Sequence, residues 1–160
     1  MAEEALKKCR QVNGIWFFGL AGAGKTFASE ICAKLIDKAF IIDGDDVRNF
    51  ISFDLGYSSS DREIQIKRVL GLSEITLKNN RMPIVSTVTM SHEINMRCNQ
   101  LGIELVNIIR PNDQLSKVRK IYEAGTNVVG KDIKEKSFDT LKLCNNGDAE
   151  FEKRIKSLVK

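Results

Sequence analysis

Gly14-Ile-Trp-Phe-Phe-Gly-Leu-Ala-Gly-Ala-Gly-Lys-Thr26 joins an apolar run to a glycine-rich turn, and the order of those two parts carries the fold. The run from Gly14 to Leu20 has no polar member, which suits a central parallel strand buried on both faces. Gly19 to Thr26 then matches G-x-x-x-x-G-K-[ST] in full. Glycines let a backbone wrap a polyphosphate with its N–H groups turned inward, and the helix that follows adds its positive end. That helix is legible from Lys25 to Ile36, where Phe27, Ala28, Ile31, Cys32, Leu35 and Ile36 recur at helical spacing. The loop therefore supplies a nucleotide site at Gly19, Ala21, Gly22, Ala23, Gly24, Lys25, Thr26 and Phe27. Lys25, expected to face solvent in the empty loop, reaches the β- and γ-phosphates of ATP, and the Thr26 hydroxyl ligates magnesium.

Outward from this stretch, strands and helices alternate. Ala39 to Ile42 reads as a second strand ending in Asp43, and Asp61 to Lys78 as a long helix opened by the serines Ser58 to Ser60. Pro83 to Thr87 is the third strand, Ser91 to Gln100 a helix, and Ile103 to Ile109 the fourth strand, stopped by Arg110-Pro111. A basic helix over about 112–122, a glycine-containing loop at 125–130, a last strand near 140–143 and a C-terminal helix complete the reading. The pattern predicts a single α/β domain over residues 1–160, three-layered and doubly wound around a mainly parallel sheet. Residues 1–12 form an N-terminal arm in this reading, and about 111–131 a lid region.

Composition narrows the function classes. The 160 residues are 42% hydrophobic and 29% charged, the balance of a chain that buries a core. A net charge of +4, from 25 basic and 21 acidic residues, is too mild for a nucleic-acid surface. The basic groups at Lys117 to Lys120 and Lys131 to Lys136 serve a phosphate pocket or a solvated face equally well. Cys9, Cys32, Cys98 and Cys144 are scattered without a C-x-x-C pair, and one histidine, His92, is too little for a metal site, so a reduced cytoplasmic setting is expected. Cys32 and Cys98 read as packing, and His92 as a helix cap or a surface residue. No apolar stretch suits a membrane span or a signal core, so no membrane partner is expected.

A phosphate loop serves kinases, switch GTPases and motor ATPases alike. The guanine-reading N-K-x-D pattern is missing, while Asp43-Gly-Asp-Asp-Val-Arg48 follows the loop by only about twenty residues, as in a compact small-molecule kinase. It reads as a tight turn at a strand end, where ligands bind in parallel α/β sheets. One of its carboxylates suits a magnesium shell through water, and another suits the proton of an attacking hydroxyl. Phe50, Phe53 and Tyr57 suit either stacking on a base or core packing.

These motifs occur in an order that resembles the adenylylsulfate kinase family. The resemblance runs through Gly19 to Thr26, Asp43 to Arg48, Asp54-Leu-Gly-Tyr-Ser58, Asp61-Arg62 with Lys67-Arg68-Val69, Val85-Ser86 and Asn127-Val-Val-Gly-Lys-Asp132. It implies a P-loop kinase that uses ATP and magnesium to phosphorylate a ribose 3′-hydroxyl of a small nucleotide. Lys25, Asp43 and Asp45 are its implied catalytic residues, with Asp43 also near magnesium. Which aspartate takes the proton stays open. Arg48 and Arg62 are the implied clamps on the acceptor's anionic group, with Asp45, Phe53, Gln65, Ser86 and Lys117 also on the acceptor side. Lys117 or Arg119 is the implied lid cation.

Departures from the family pattern fall mainly on the acceptor side. Asp46 stands where the family has asparagine, as does Gln65, and Thr87-Val-Thr-Met-Ser-His-Glu93 replaces I-S-P-Y-R. The lid motif R-D-x-K-G-L-Y gives way to Gln114 to Tyr122. A branch of the family with similar features acts on cytidine diphosphoramidate in capsule biosynthesis, and that acceptor is the first expectation. Adenylylsulfate is the alternative, and a nucleotide-sensing protein without turnover is the alternative of another class. A homodimer is left open.

Overall fold

The computed structural model describes residues 12–111, 113–115, 128–129, 134 and 136–160. Within them five strands form one sheet: β1 (Gly14–Phe18), β2 (Ala39–Asp43), β3 (Met82–Thr87), β4 (Ile103–Ile109) and β5 (Leu141–Cys144). Their order is β2-β3-β1-β4-β5, and every neighbouring pair is parallel. The helices are α1 (Lys25–Leu35), α2 (Gly44–Phe50), α3 (Ser59–Lys78), α4 (His92–Leu101) and α5 (Ala149–Ser157). The three-layer, doubly wound parallel architecture is that expected from the alternation of strands and helices.

β1 is central and buried along its whole length, which accounts for its all-apolar sequence. Successive side chains serve opposite faces. Ile15 and Phe17 join Ala28, Ile31, Cys32, Phe151 and Ile155 in the core under α1 and α5. Trp16 and Phe18 join Val47, Ile66, Val69, Ile94 and Cys98 in the core under α2, α3 and α4. The Trp16 indole N–H, buried among apolar groups, donates to Thr87 Oγ1 at 2.8 Å. Thr87 Oγ1 in turn donates to the Thr89 carbonyl at 2.9 Å, so the strand centre fixes the chain just beyond β3.

Four helices begin at a side-chain cap: Asp43 for α2, Ser58 for α3, Ser91 for α4 and Asp148 for α5. α1 begins at Gly24, in a left-handed conformation with no side-chain cap. Its first amides are thus left without the side-chain acceptor that the other four helices carry.

Boundaries match the expected elements to within a residue or two, and the last strand lies one residue later than expected. One assignment needs correcting. Asp43 to Arg48 is not a tight turn: Gly44–Phe50 is a helix, and Asp43 is its cap, accepting from the Asp45 N–H. The expected arm at 1–12 lies outside the described residues but for Val12. Of the basic helix, glycine loop and lid region, only 111, 113–115 and 128–129 are described.

Candidate active site

Three strand ends converge beside the start of α1. In a parallel sheet the carboxyl ends of neighbouring strands open a crevice where connections depart in opposite directions, and β1, β2 and β3 meet the phosphate loop there. The cleft has a volume of about 780 Å³, within the range of about 300–1,000 Å³ typical of small-molecule sites. Gly22, Lys25 and Thr26 line one side, Asp43 and Asp45 the floor, and Arg48, Tyr57 and Arg62 the other side.

The loop's shape is set by contacts at its back. Gly19 has φ +150°, and a Cβ there would stand 2.3 Å from the Ile108 carbonyl oxygen, so only glycine lets the loop leave β1 against β4. The Asn145 side chain, buried at the end of β5, donates from Nδ2 to the Ala23 carbonyl at 2.8 Å and accepts the Gly147 N–H on Oδ1 at 2.9 Å. Arg110 donates from Nη1 to the Gly22 carbonyl at 3.2 Å. Asn145 and Arg110 were not among the expected site residues. The turn residues Asn145-Asn-Gly147 were visible in sequence, but not the bond across 122 positions to Ala23.

Asp43 is the hub of the floor. Its Oδ2 accepts the Thr26 hydroxyl at 3.0 Å and the Ser86 hydroxyl at 2.8 Å, and its Oδ1 accepts the Asp45 amide at 2.9 Å. One carboxylate therefore ties the start of α1 to β3 and α2. Among the described residues no cluster of three His, Cys, Asp or Glu could hold a metal ion. The adjacent Thr26 and Asp43 oxygens nevertheless suit magnesium, a hard cation commonly bound by one or two protein oxygens plus substrate phosphates. Asp45 is exposed and also lines the cleft.

Lys25 differs from expectation. It is half-buried, and its Nζ donates to the Leu20 carbonyl at 2.9 Å instead of facing open solvent, because the loop offers its own oxygen within reach.

Across the cleft, two guanidinium groups pack against the Tyr57 ring, Arg48 4.4 Å and Arg62 5.5 Å from its centre. Arg48 also donates to the Gly56 carbonyl, and Arg62 to the Tyr57 carbonyl at 3.1 Å. Burial, and then the like charge of Arg48, hold Arg62 below the ordinary guanidinium range. Two like charges that act on one another favour a bound anion beside them.

The structure does not bring every expected acceptor residue into the cleft. Gln65 is buried behind it, donating from Nε2 to the Gly44 carbonyl at 2.9 Å, so it braces α2. Phe53 is 83% exposed and Phe50 76%, which removes core packing for both, and Tyr57 is 54% exposed on the cleft wall. His92 is an exposed first residue of α4, whose cap is Ser91. Lys117 and Arg119 lie outside the described residues. Cys32 and Cys98 are fully buried, and burial pushes their thiols up to about 11 and about 12. No helix of the described residues is long and apolar enough to cross a membrane.

The adenylylsulphate kinase family pattern matches residues 11–110, more than half of the chain. The adenylyl-sulfate kinase of Pseudomonas aeruginosa is 37% identical over 105 residues, which cover 62% of this chain and 53% of that protein. That of a Picosynechococcus species is 36% identical over 98 residues, 59% of this chain and 55% of that protein. The chain thus spans about half the length of the curated relatives it matches. In fold it is similar to the Mycobacterium tuberculosis APS kinase solved with AMPPNP and APS, at a TM-score of 0.76 and 20% identity over 93% of this chain and 98% of that one. With the phosphate loop, the acidic floor and the paired arginines all inside the matched segment, the chain belongs to the adenylylsulphate kinase family.

Proposed function

We propose that the protein transfers the γ-phosphoryl group of MgATP to the ribose 3′-hydroxyl of adenylylsulfate. The observation that carries this reading is the Asp43 carboxylate, which joins Thr26 of the phosphate loop to the floor of a cleft whose far wall is the Arg48–Tyr57–Arg62 stack. The residues assigned to donor and acceptor thereby line a single cavity. Family membership supports the same reading, and the named relatives are adenylyl-sulfate kinases.

The loop amides and Lys25 hold the β- and γ-phosphates, for which Lys25 must leave the Leu20 carbonyl. Thr26 and Asp43 are the residues that would hold magnesium, which when bound neutralises phosphate charge. Both Asp43 oxygens already accept hydrogen bonds, so the exposed Asp45 is assigned to receive the acceptor's proton. The ribose oxygen forms its bond to the γ-phosphorus as the bridging β–γ oxygen departs with ADP, and the hydroxyl proton passes to Asp45. Arg48 and Arg62 orient the acceptor through its anionic group.

ADP release measured with and without adenylylsulfate tests the reading. Release that depends on adenylylsulfate, with 3′-phosphorylated product by phosphorus NMR, is expected. Tight ATP binding without turnover would replace it with the nucleotide-sensing alternative.

Cytidine diphosphoramidate, the first expectation from sequence, is now the second reading. The relatives named above favour adenylylsulfate, but Thr87, Val88 and Thr89, inside the segment that departs from the family pattern, line the cleft. Equimolar competition between the two acceptors separates them.

A further inference from the structure

Beside the main cleft lies a smaller chamber of about 80 Å³. Arg62, Val88, Thr89 and Val129 line both spaces, so the chamber adjoins the cleft at Arg62, while Tyr57 and Arg48 line the cleft alone. Its floor is apolar and buried, built from Phe18, Ile66, Met90 and Phe138. The wall is braced: Phe138 packs edge-on to Phe18 at 5.7 Å and against the His92 ring at 4.9 Å. Lys134 and Lys136 line its outer part with Arg62. Interiors are normally packed with few voids larger than a water molecule, so a braced apolar space opening into a binding cleft invites an occupant.

The contents of the wall limit what fits. A cavity of roughly 150 Å³ holds a benzene ring, so this chamber encloses only a few heavy atoms, fewer than a nucleobase has. Among the described residues that line it, Arg62, Lys134 and Lys136 outnumber the Glu63 carboxylate, which disfavours an ammonium group. The apolar floor disfavours a second charge of either sign.

We infer that the chamber is an additional acceptor subsite for a short, uncharged alkyl group attached beyond the anion that Arg48 and Arg62 orient. This rests on the kinase reading above and extends it: the favoured acceptor is a nucleoside 5′-diphosphate-type ester with a small alkyl end. Val88 to Ser91, all on the chamber wall, belong to the segment that replaces the family's I-S-P-Y-R, so the subsite is a feature of this chain.

The test compares adenylylsulfate with the β-methyl, β-ethyl and β-isopropyl esters of adenosine 5′-diphosphate, scoring 3′-phosphorylation by mass. From methyl to isopropyl kcat/KM should rise by about tenfold or more, since each buried methylene contributes several-fold. Met90→Trp, which fills the chamber, should abolish that rise and leave adenylylsulfate turnover within about twofold, the scale of an untouched contact. Should Met90→Trp not fold, Phe138→Leu should shift the optimum to a longer ester. A flat series in the native protein, a rise that survives Met90→Trp, or an optimum that Phe138→Leu leaves unmoved overturns the subsite while leaving the kinase reading intact. If no acceptor is turned over, the kinase reading fails. The same esters are then scored by thermal shift with AMPPNP present, where a flat series overturns the subsite as well.

Discussion

Replacing Asn145 with alanine should weaken both the fold and ATP binding, because that side chain holds the phosphate loop from behind. Two hydrogen bonds are lost, from Nδ2 to the Ala23 carbonyl at 2.8 Å and from the Gly147 N–H to Oδ1 at 2.9 Å. The first lies in a buried setting, and stranding a buried acceptor costs about 1–3 kcal/mol, with about 0.5–1.5 kcal/mol more for the second bond. A sum near 2–4 kcal/mol corresponds to a fall in Tm of roughly 5–12 °C for a chain of this size. The loop's amides then lose their fixed direction, so KM for ATP should rise by about tenfold while acceptor KM stays nearly constant, as expected when only donor binding is disturbed. Asn145→Asp should be worse than alanine, because it turns an acceptor oxygen toward the Ala23 carbonyl and sets a negative charge behind the phosphates. The exposed neighbour Asn146→Ala is the control. Thermal melts and steady-state kinetics on the three variants suffice. An unchanged ATP KM in Asn145→Ala, or aspartate matching alanine, would refute the clamp.

The remaining predictions concern single groups. Lys25→Ala should reduce turnover by at least about 10³-fold, since its ammonium is assigned to neutralise charge on the transferred phosphoryl group. Near-normal ADP release at saturating ATP would remove Lys25 from the reaction. Asp45→Asn should lower kcat by about 10²–10⁴-fold with little change in acceptor KM; an effect on KM alone would move the proton to Asp43. Cys32 and Cys98, with thiols raised to about 11 and about 12, stay protonated at pH 7, so iodoacetamide should label the exposed Cys144 and spare both in the folded protein. Mass mapping after a short pulse checks this, and labelling of Cys98 in the native state would contradict its burial.

The donor half of the site was legible because its chemistry is contiguous. Gly19 to Thr26 brings loop, lysine and hydroxyl in eight consecutive positions, and strand and helix periodicity on either side fixes their setting. Part of what escaped sequence reading was local, and part depended on contacts between distant positions. Asp43-Gly-Asp-Asp looked like a turn because those residue types favour turns, yet Asp43 folds back onto the Asp45 amide and starts a helix. Gln65 shares a segment with the acceptor arginines, and only packing shows it turned inward to the Gly44 carbonyl. Phe50 and Phe53 read as apolar and therefore as core candidates, but a helix of seven residues at the sheet edge has too little covering structure to bury them.

The division between the legible and illegible parts follows from topology. Donor contacts come from one unbroken piece of chain leaving the central strand, where a change at Gly19 meets the Ile108 backbone and a change at Gly24 meets Asn145. The cleft residues proposed to meet the acceptor come from separate pieces: α2, the chain between α2 and α3, the start of α3, and the segment after β3. Thr87 is held by Trp16 and Met90 packs in the core with Trp16 and Phe18, but Val88, Thr89 and Ser91 follow the end of β3 and are only partly buried, so their side chains can change with less effect on β1. Acceptor specificity can therefore diverge along that edge while the phosphate loop stays fixed. This chain has the corresponding pattern, a full G-x-x-x-x-G-K-T beside a replaced I-S-P-Y-R, and the chamber beside Arg62 lies where the replacement occurred.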